Sequence, residues 1–133
     1  MAKPPTLSLS LSLGSASIVS RIKDGYLLWI KIAVHIPKNN RYTLGQRIEN
    51  KFLDILEAIY IAYFSEKSEK PPRVSACIIQ LDALKFLISV AWEGKLISQN
   101  QYQEIALKLD EIGKMLGGWR NSLNNPDKKN RAS

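Results

Sequence analysis

The sequence predicts an all-α protein, an antiparallel up-and-down four-helix bundle, and three observations support this fold. The 133 residues suit one domain, and 45% of them are hydrophobic, enough to build a core. From about residue 20, apolar residues recur at spacings of three and four, which is the period of a helix. Polar links divide this stretch into four segments, and four amphipathic helices bury their apolar stripes by packing together. We assign residues 21–124 to the bundle.

Residues 1–20 form a separate segment with a different pattern. Leu7, Leu9, Leu11 and Leu13 alternate with serine, a period typical of a strand, but no second alternating run exists for a strand to pair with. We therefore expect a disordered or loosely docked arm. A secretory signal is the alternative, and the Leu/Ser alternation argues against it because it interrupts the apolar run that a signal needs. The expected location is cytoplasmic.

The first helix is expected to end at Pro37, because proline disfavours helical backbone in the residue before it. Its apolar stripe is Tyr26, Trp29, Ile30, Ala33 and Ile36. A polar link at residues 38–42 follows, and Thr43 and Gln46 fit a capping box that begins the second helix. The core stripe of the second helix is Ile48, Phe52, Ile55, Ile59 and Ala62.

The third helix is expected after Pro71 and Pro72 and stops near Gly94. Its stripe is Val74, Cys77, Ile78, Leu81, Leu84, Ile88 and Ala91. The fourth helix begins at a capping box of Ser98 and Gln101 and ends before residues 124–126. Its stripe is Tyr102, Ile105, Leu109, Ile112, Leu116, Trp119 and Leu123. A basic tail, residues 125–133, completes the chain.

The helices carry more apolar area than one bundle needs. A further stripe on the second helix comprises Leu53, Leu56, Tyr60 and Tyr63, and Phe86, Val90 and Trp92 lie off the stripe of the third. On the fourth helix Ala106, Gly113 and Gly117 form a strip of small residues, and an interior glycine costs roughly 1 kcal/mol against alanine. Close approach of another helix, inside the bundle or between subunits, would recover that cost, so we expect an oligomer.

The sequence shows no machinery for catalysis, so we predict a protein that is not an enzyme and that has no metal or cofactor. One cysteine, Cys77, excludes an intramolecular disulfide, and with the single His35 it cannot supply a structural zinc site. Cys77 falls on a core stripe, and His35 suits the carboxyl end of a helix. No apolar run reaches the ~18 residues of a membrane span.

The net charge of +7 predicts a polyanionic partner, RNA or DNA, with a merely soluble basic surface as the alternative. The charge is concentrated at residues 21–51, which carry +5, and at residues 120–131, which carry +3. The candidate binding residues are Lys23, Lys31, Lys38, Arg41, Arg47, Lys51, Arg120, Lys128 and Lys129. Tyr42 and Trp119 are candidates for base stacking, although Trp119 fits a core position better. No recognition-helix or RNA-recognition motif indicates sequence-specific binding.

Two segments carry a resemblance to a known family. Residues 35–49, HIPKNNRYTLGQRIE, and residues 113–119, GKMLGGW, resemble the accessory variability determinant (Avd) family of diversity-generating retroelements, and the resemblance spans residues 22–123. The same superfamily contains four-helix proteins encoded in intervening sequences of ribosomal RNA genes. Those proteins usually have a Ser-Ile-Pro-Ser-Asn type segment where this chain has KFLDILE at residues 51–57, which favours the retroelement branch.

The resemblance implies a homopentameric barrel of four-helix bundles with a basic outer surface. It further implies a non-enzymatic accessory protein that binds the retroelement reverse transcriptase and its RNA or DNA. Such a protein supports mutagenic retrohoming, in which cDNA copied from a template RNA diversifies a target gene. The alternative is a structural oligomer of the ribosomal RNA intervening-sequence type.

Overall fold

The computed structural model describes residues 14–125, and this range is helical apart from short connections. The four helices are α1 (Gly14–Ala33), α2 (Gln46–Phe64), α3 (Lys70–Glu93) and α4 (Gln99–Asn124). A helical turn at Lys38–Asn40 and a π-helical turn at Arg41–Gly45 run directly into α2, and we call residues 38–45 the α2 lead-in. The described residues contain no strand, so the prediction of an all-α four-helix bundle is confirmed.

The helices pack as a closed ring, in which α1 contacts α2 and α4, and α3 contacts the same two helices. Short connections make consecutive helices antiparallel. In the middle of the α1–α2 pair the Tyr26 hydroxyl donates to Glu49 Oε1 at 3.3 Å, and at its end Ile36 packs beside Gly45. As a result, α1 and α3 finish at the same end of the bundle at which the α2 lead-in and α4 begin.

The core is one cluster of apolar side chains to which all four helices contribute. The predicted stripe of α2 is buried throughout, and α4 buries Ile105, Leu109, Ile112 and Leu116. On α3 the buried residues are Val74, Cys77, Leu81, Leu84, Ile88 and Ala91, and Ile78 is partly buried. Tyr102, Trp119 and Leu123, at the two ends of the α4 stripe, pack against this cluster and are partly buried. Full burial of one large aliphatic side chain contributes roughly 1.5–3 kcal/mol, which makes this cluster the main source of stability.

The first helix differs from the prediction at its start, in its stripe and at its end, which is Ala33 and not the residue before Pro37. It begins at Gly14, so the boundary expected at residue 20 lies inside α1, and Ile18 is buried. Ile30 is exposed, and Ile32 is buried in its place. Ile32 follows the buried Trp29 by three residues and shares its side, whereas Ile30 follows Trp29 directly and points about 100° away. The Leu/Ser alternation at residues 7–13 lies outside the described residues.

The predicted capping box at Thr43 and Gln46 is wrong. Pro37 has extended backbone (φ −52°, ψ 141°), so the helix begins at Lys38, and residues 38–42 are not a link. The Thr43 hydroxyl donates to the carbonyl oxygens of Asn39 at 3.5 Å and Asn40 at 3.2 Å. Such bonds to preceding carbonyls are what threonine makes inside a helix, and the Thr-x-x-Gln spacing does not distinguish the two situations.

The capping box that begins α4 is confirmed. The Ser98 hydroxyl oxygen accepts from the Gln101 backbone N–H at 3.1 Å, and Gln101 Oε1 accepts from the Ser98 backbone N–H at 2.8 Å. This reciprocal pair satisfies two donors that a helix start otherwise leaves open. It fixes the residue at which α4 leaves the connection from α3.

Helix α3 begins slightly earlier than predicted, with Pro71 and Pro72 inside its first turn, where no N–H is required. It ends at Glu93 with Gly94 as its C-cap, as expected. Among the described residues α3 alone is long and apolar enough to cross a membrane by length and composition. A helix that contributes to a bundle core passes the same test, so this finding is weak support for a span.

Candidate nucleic-acid interface

The net positive charge of the described residues falls in one half of the bundle, because carboxylates are few there. The α1–α2 and α3–α4 connections lie at the same end, and we call the residues within ten positions of them, 24–47 and 84–108, the basic half. The basic half carries seven cationic side chains and three carboxylates, whereas the other described residues carry eight of each. All of the net positive charge between residues 14 and 125 therefore falls in the basic half.

The predicted binding residues divide between several regions. Those in the basic half are Lys31, Lys38, Arg41 and Arg47, which are all exposed. Lys23 and Lys51 lie on the middle turns of α1 and α2, and Arg120 lies near the opposite end of the bundle, in the last turns of α4. Lys128 and Lys129 lie outside the described residues. The fold thus brings together four of the nine candidates and separates Arg120 from them.

Arg41 has a structural role within this set. Its guanidinium donates from one nitrogen to the Val34 carbonyl at 2.9 Å and to the Ile36 carbonyl at 3.1 Å. Val34 and Ile36 lie in the turn that follows α1, where no further helical turn satisfies their carbonyls. The positive charge also complements the negative end of the helix dipole. Arg41 therefore ties the α2 lead-in to α1.

Several other cations of the basic half take no part in the ion pairs that the structure describes. Ion pairs in the described part of the chain join Arg21 to Glu111, Arg73 to Glu69 and Lys85 to Asp110. Lys31, Lys38 and Arg47 belong to none of these pairs. Exposed cations of this kind are available for phosphate without first breaking a salt bridge.

Sequence reasoning missed Lys95, which the fold places in the basic half. Lys95 follows the end of α3 and has left-handed backbone, with φ of 60°, a conformation that lysine rarely adopts. The Leu96 N–H donates to the Ala91 carbonyl at 2.9 Å and closes this helix end. Lys95 is more than fifty residues from Lys38 along the chain, and only the antiparallel packing puts both at one end.

Exposed aromatic rings accompany the charge in the basic half. Tyr42, in the α2 lead-in, is 66% exposed. Trp92, in the last turn of α3, is 39% exposed and stacks on Tyr102 with ring centroids 4.9 Å apart and planes 14° apart. Trp119, by contrast, packs against the core near the opposite end. Trp92 was a second residue that the sequence analysis did not assign to binding.

The ionisable groups outside this surface have structural surroundings. Burial raises the pKa of the Cys77 thiol to about 11, so the thiol is protonated at neutral pH. Burial and the adjacent Glu49 carboxylate raise the pKa of the Tyr26 hydroxyl. His35 is exposed at the end of α1. In the described ranges no three His, Cys, Asp or Glu side chains are placed to hold a metal ion.

Two exposed apolar surfaces lie on the long sides of the bundle. The first, the α1–α2 face, comprises Leu27, Ile30, Val34, Leu53, Tyr60 and Phe64. Ile30 is one turn from Tyr26 and Leu53 one turn from Glu49, and the Tyr26–Glu49 hydrogen bond joins the two helices at this point. The exposed apolar residues of α1 and those of α2 therefore lie on either side of the Tyr26–Glu49 contact between the two helices.

The second surface, the α3–α4 face, comprises Ile79, Phe86 and Leu107. Ile79 and Phe86 flank Asp82, which lines a groove of about 530 Å³ between α3 and α4. Gly113 forms part of the groove, and a Cβ there would lie 3.3 Å from Lys85 Nζ. The nearest atom is the mobile end of a lysine side chain, so this contact does not by itself require glycine at position 113, and a Cβ at Gly117 would meet nothing within 4 Å.

In its described residues the chain is a four-helix bundle with one basic half and two apolar faces. Residues 18–123, about four-fifths of the chain, match the sequence profile of the bAvd-like family. The chain belongs to this family, and the resemblance to Avd proteins is confirmed. Membership indicates an accessory protein of a diversity-generating retroelement, from a family of non-catalytic proteins. No curated protein and no solved structure gives a significant match.

Proposed function

We propose that this protein is a non-enzymatic accessory subunit that binds nucleic acid and the reverse transcriptase of a retroelement, and so supports mutagenic retrohoming in the cytoplasm. The observation that carries the proposal is the concentration of net charge in the basic half, where Lys31, Lys38 and Arg47 are exposed and outside the ion pairs of the described residues. Phosphate neutralisation by such cations releases counterions and drives binding of little sequence preference. Membership of the bAvd-like family supports the assignment to a retroelement.

Salt dependence tests the nucleic-acid part of the proposal. The full chain is titrated into a fluorescent RNA oligonucleotide while the salt concentration is raised from about 50 to about 200 mM. We expect the affinity to fall by on the order of a hundredfold, because several phosphate contacts are involved. An affinity that stays constant across this range contradicts the proposal.

The association with reverse transcriptase rests on the family alone. Its test is co-purification of the tagged chain with a co-expressed reverse transcriptase of a diversity-generating retroelement, in high salt and after nuclease treatment, so that bridging nucleic acid is removed. We expect a complex that persists. Loss of the polymerase under these conditions would leave nucleic acid as the only shared partner and contradict a direct contact.

We further propose that the chain assembles as a homopentamer through its two apolar faces. The helix order puts α1–α2 and α3–α4 on opposite sides of the bundle. Two different surfaces on opposite sides suit head-to-tail contacts, which close into a ring when the rotation between subunits permits. Exposed apolar surface of this kind marks interaction sites in soluble proteins. Light scattering on the purified chain is expected to give about 75 kDa, five times the 15.0 kDa of one chain.

A purely structural oligomer is the second candidate, since the apolar faces support assembly without regard to charge. It predicts the same mass but no salt-dependent binding of RNA. The two measurements together therefore distinguish the candidates.

A further inference from the structure

We infer that the basic half binds single-stranded nucleic acid in preference to duplex, with bases stacking on Tyr42 and Trp92 and phosphates on Lys38 and Lys95. The inference rests on the proposed nucleic-acid binding and adds the class of strand and the residues that select it. Sequence-independent single-strand sites combine cations that follow the backbone with aromatic rings on which bases stack. The basic half contains both.

Tyr42 and Trp92 are exposed, whereas Trp29 and Phe52 are buried in the core. Tyr42 is two-thirds exposed, and its hydroxyl belongs to no hydrogen bond among the described residues. One face of the Trp92 indole is covered by Tyr102, so the exposed surface of Trp92 belongs to its other face and its edge. The underlying ring holds the indole in place. A base that stacks on Trp92 would extend this pair to a third layer.

Both rings lie next to cations at the same end of the bundle. Tyr42 follows Lys38 by four residues in the α2 lead-in, and this lead-in contacts α3. The Lys95 N–H donates to the Trp92 carbonyl at 2.9 Å. This hydrogen bond closes a tight turn that keeps Lys95 close to Trp92. Each ring thus has its own neighbouring positive charge. In a duplex the bases are stacked on each other. Their faces are therefore not free to stack on Tyr42 or Trp92.

Anisotropy titrations of the full chain against a labelled thirty-nucleotide oligo(dT) and a duplex of about equal length test the inference. We expect tighter binding of the single strand, by about tenfold, at the same salt concentration. Tyr42→Ala and Trp92→Ala should each weaken single-strand binding by about fivefold or more and duplex binding by less than about twofold. Tyr42→Phe and Trp92→Phe keep an aromatic ring and serve as matched controls that retain most of the affinity.

The outcomes separate this inference from the proposed function. Equal binding of both strands, with the alanine variants unchanged and Lys38→Glu weakened, overturns the inference and leaves the proposed function standing. If the wild-type chain binds neither oligonucleotide, both fail. Light scattering accompanies each variant, and single-strand binding lost together with a change of mass overturns the inference by placing the rings in a subunit contact.

Discussion

Individual side chains of one chemical type have different roles in this protein. Arg41 and Arg47 are both exposed arginines near the start of α2, and the sequence assigns both to phosphate binding. The structure commits the Arg41 guanidinium to two carbonyls in the turn after α1, and Arg47 has no partner in the described ion pairs. Charge and spacing identify where cations cluster, but the partner of each cation depends on tertiary contacts that spacing does not contain.

Arg41→Ala is expected to lower the free energy of unfolding by about 1 kcal/mol, because it removes two hydrogen bonds, one exposed and one part-buried, from a charged donor to carbonyls in the turn after α1. Arg47→Ala is the matched control, with an expected change within about 0.5 kcal/mol. Urea denaturation followed by circular dichroism measures both. Equal stability of the two variants would contradict the structural role of Arg41.

Cys77 gives a pH dependence with a defined sign. The pKa of its thiol is about 11 in the folded chain, against 9.0 for an unperturbed thiol, so the folded chain holds this proton more tightly. Its contribution to stability is therefore complete below pH 9 and is lost as the pH rises toward 11. We expect the stability difference between the wild-type chain and Cys77→Ala to shrink over this interval in urea titrations. A difference that grows with pH would refute the assignment.

At the scale of the elements, the helices were predictable from sequence, whereas of the two predicted capping boxes only the one that begins α4 is present. The apolar stripe of α2 from Ile48 to Ala62 is buried as expected. Residues spaced at the 3.6-residue helical period lie on one side of a helix, and this side faces the core. The Thr-x-x-Gln and Ser-x-x-Gln patterns look alike in sequence. Only the Ser-x-x-Gln pattern is a cap. Thr43 lies inside a helical segment that already begins at Lys38, directly after Pro37.

Ser98→Ala and Thr43→Ala test this distinction directly. Ser98→Ala removes an N-cap and should cost about 1 kcal/mol of unfolding free energy. Thr43→Ala removes a hydroxyl that bonds inside a helix, and alanine has the higher helix propensity, so its cost should stay below about 0.5 kcal/mol. Thermal denaturation of the two variants side by side ranks them. A larger loss at Thr43 would restore it as a cap.

For the whole molecule, the arrangement of surfaces could be predicted only in part. The sequence indicated excess apolar area, but not that it forms two faces on opposite sides, which follows from the helix order. The sequence also indicated positive charge near Lys38. It did not identify Lys95 and Trp92 as binding residues, although α3 brings both to the same end of the bundle. Residues distant in sequence become one surface only when the bundle closes.

The role of the apolar faces leads to a prediction about mass. Ile79 is 69% exposed on the α3–α4 face, so Ile79→Glu should leave the fold of one chain intact and lower the mass of the assembly by placing a charge in the subunit contact. Lys67→Glu, an exposed change in the α2–α3 connection, is the control. Light scattering with circular dichroism gives both readouts. An unchanged mass for Ile79→Glu would remove this face from the contact.

The central claim, that the basic half binds nucleic acid, is tested most directly by two double variants with equal changes in net charge. Lys38→Glu with Arg47→Glu alters the basic half, and Lys67→Glu with Arg73→Glu alters exposed residues at the opposite end. Each is titrated with the same labelled RNA over a range of salt concentrations. We predict at least about tenfold weaker binding and a shallower salt dependence for the first variant, and affinity within about threefold of wild type for the second. Equal losses in both variants would contradict the claim.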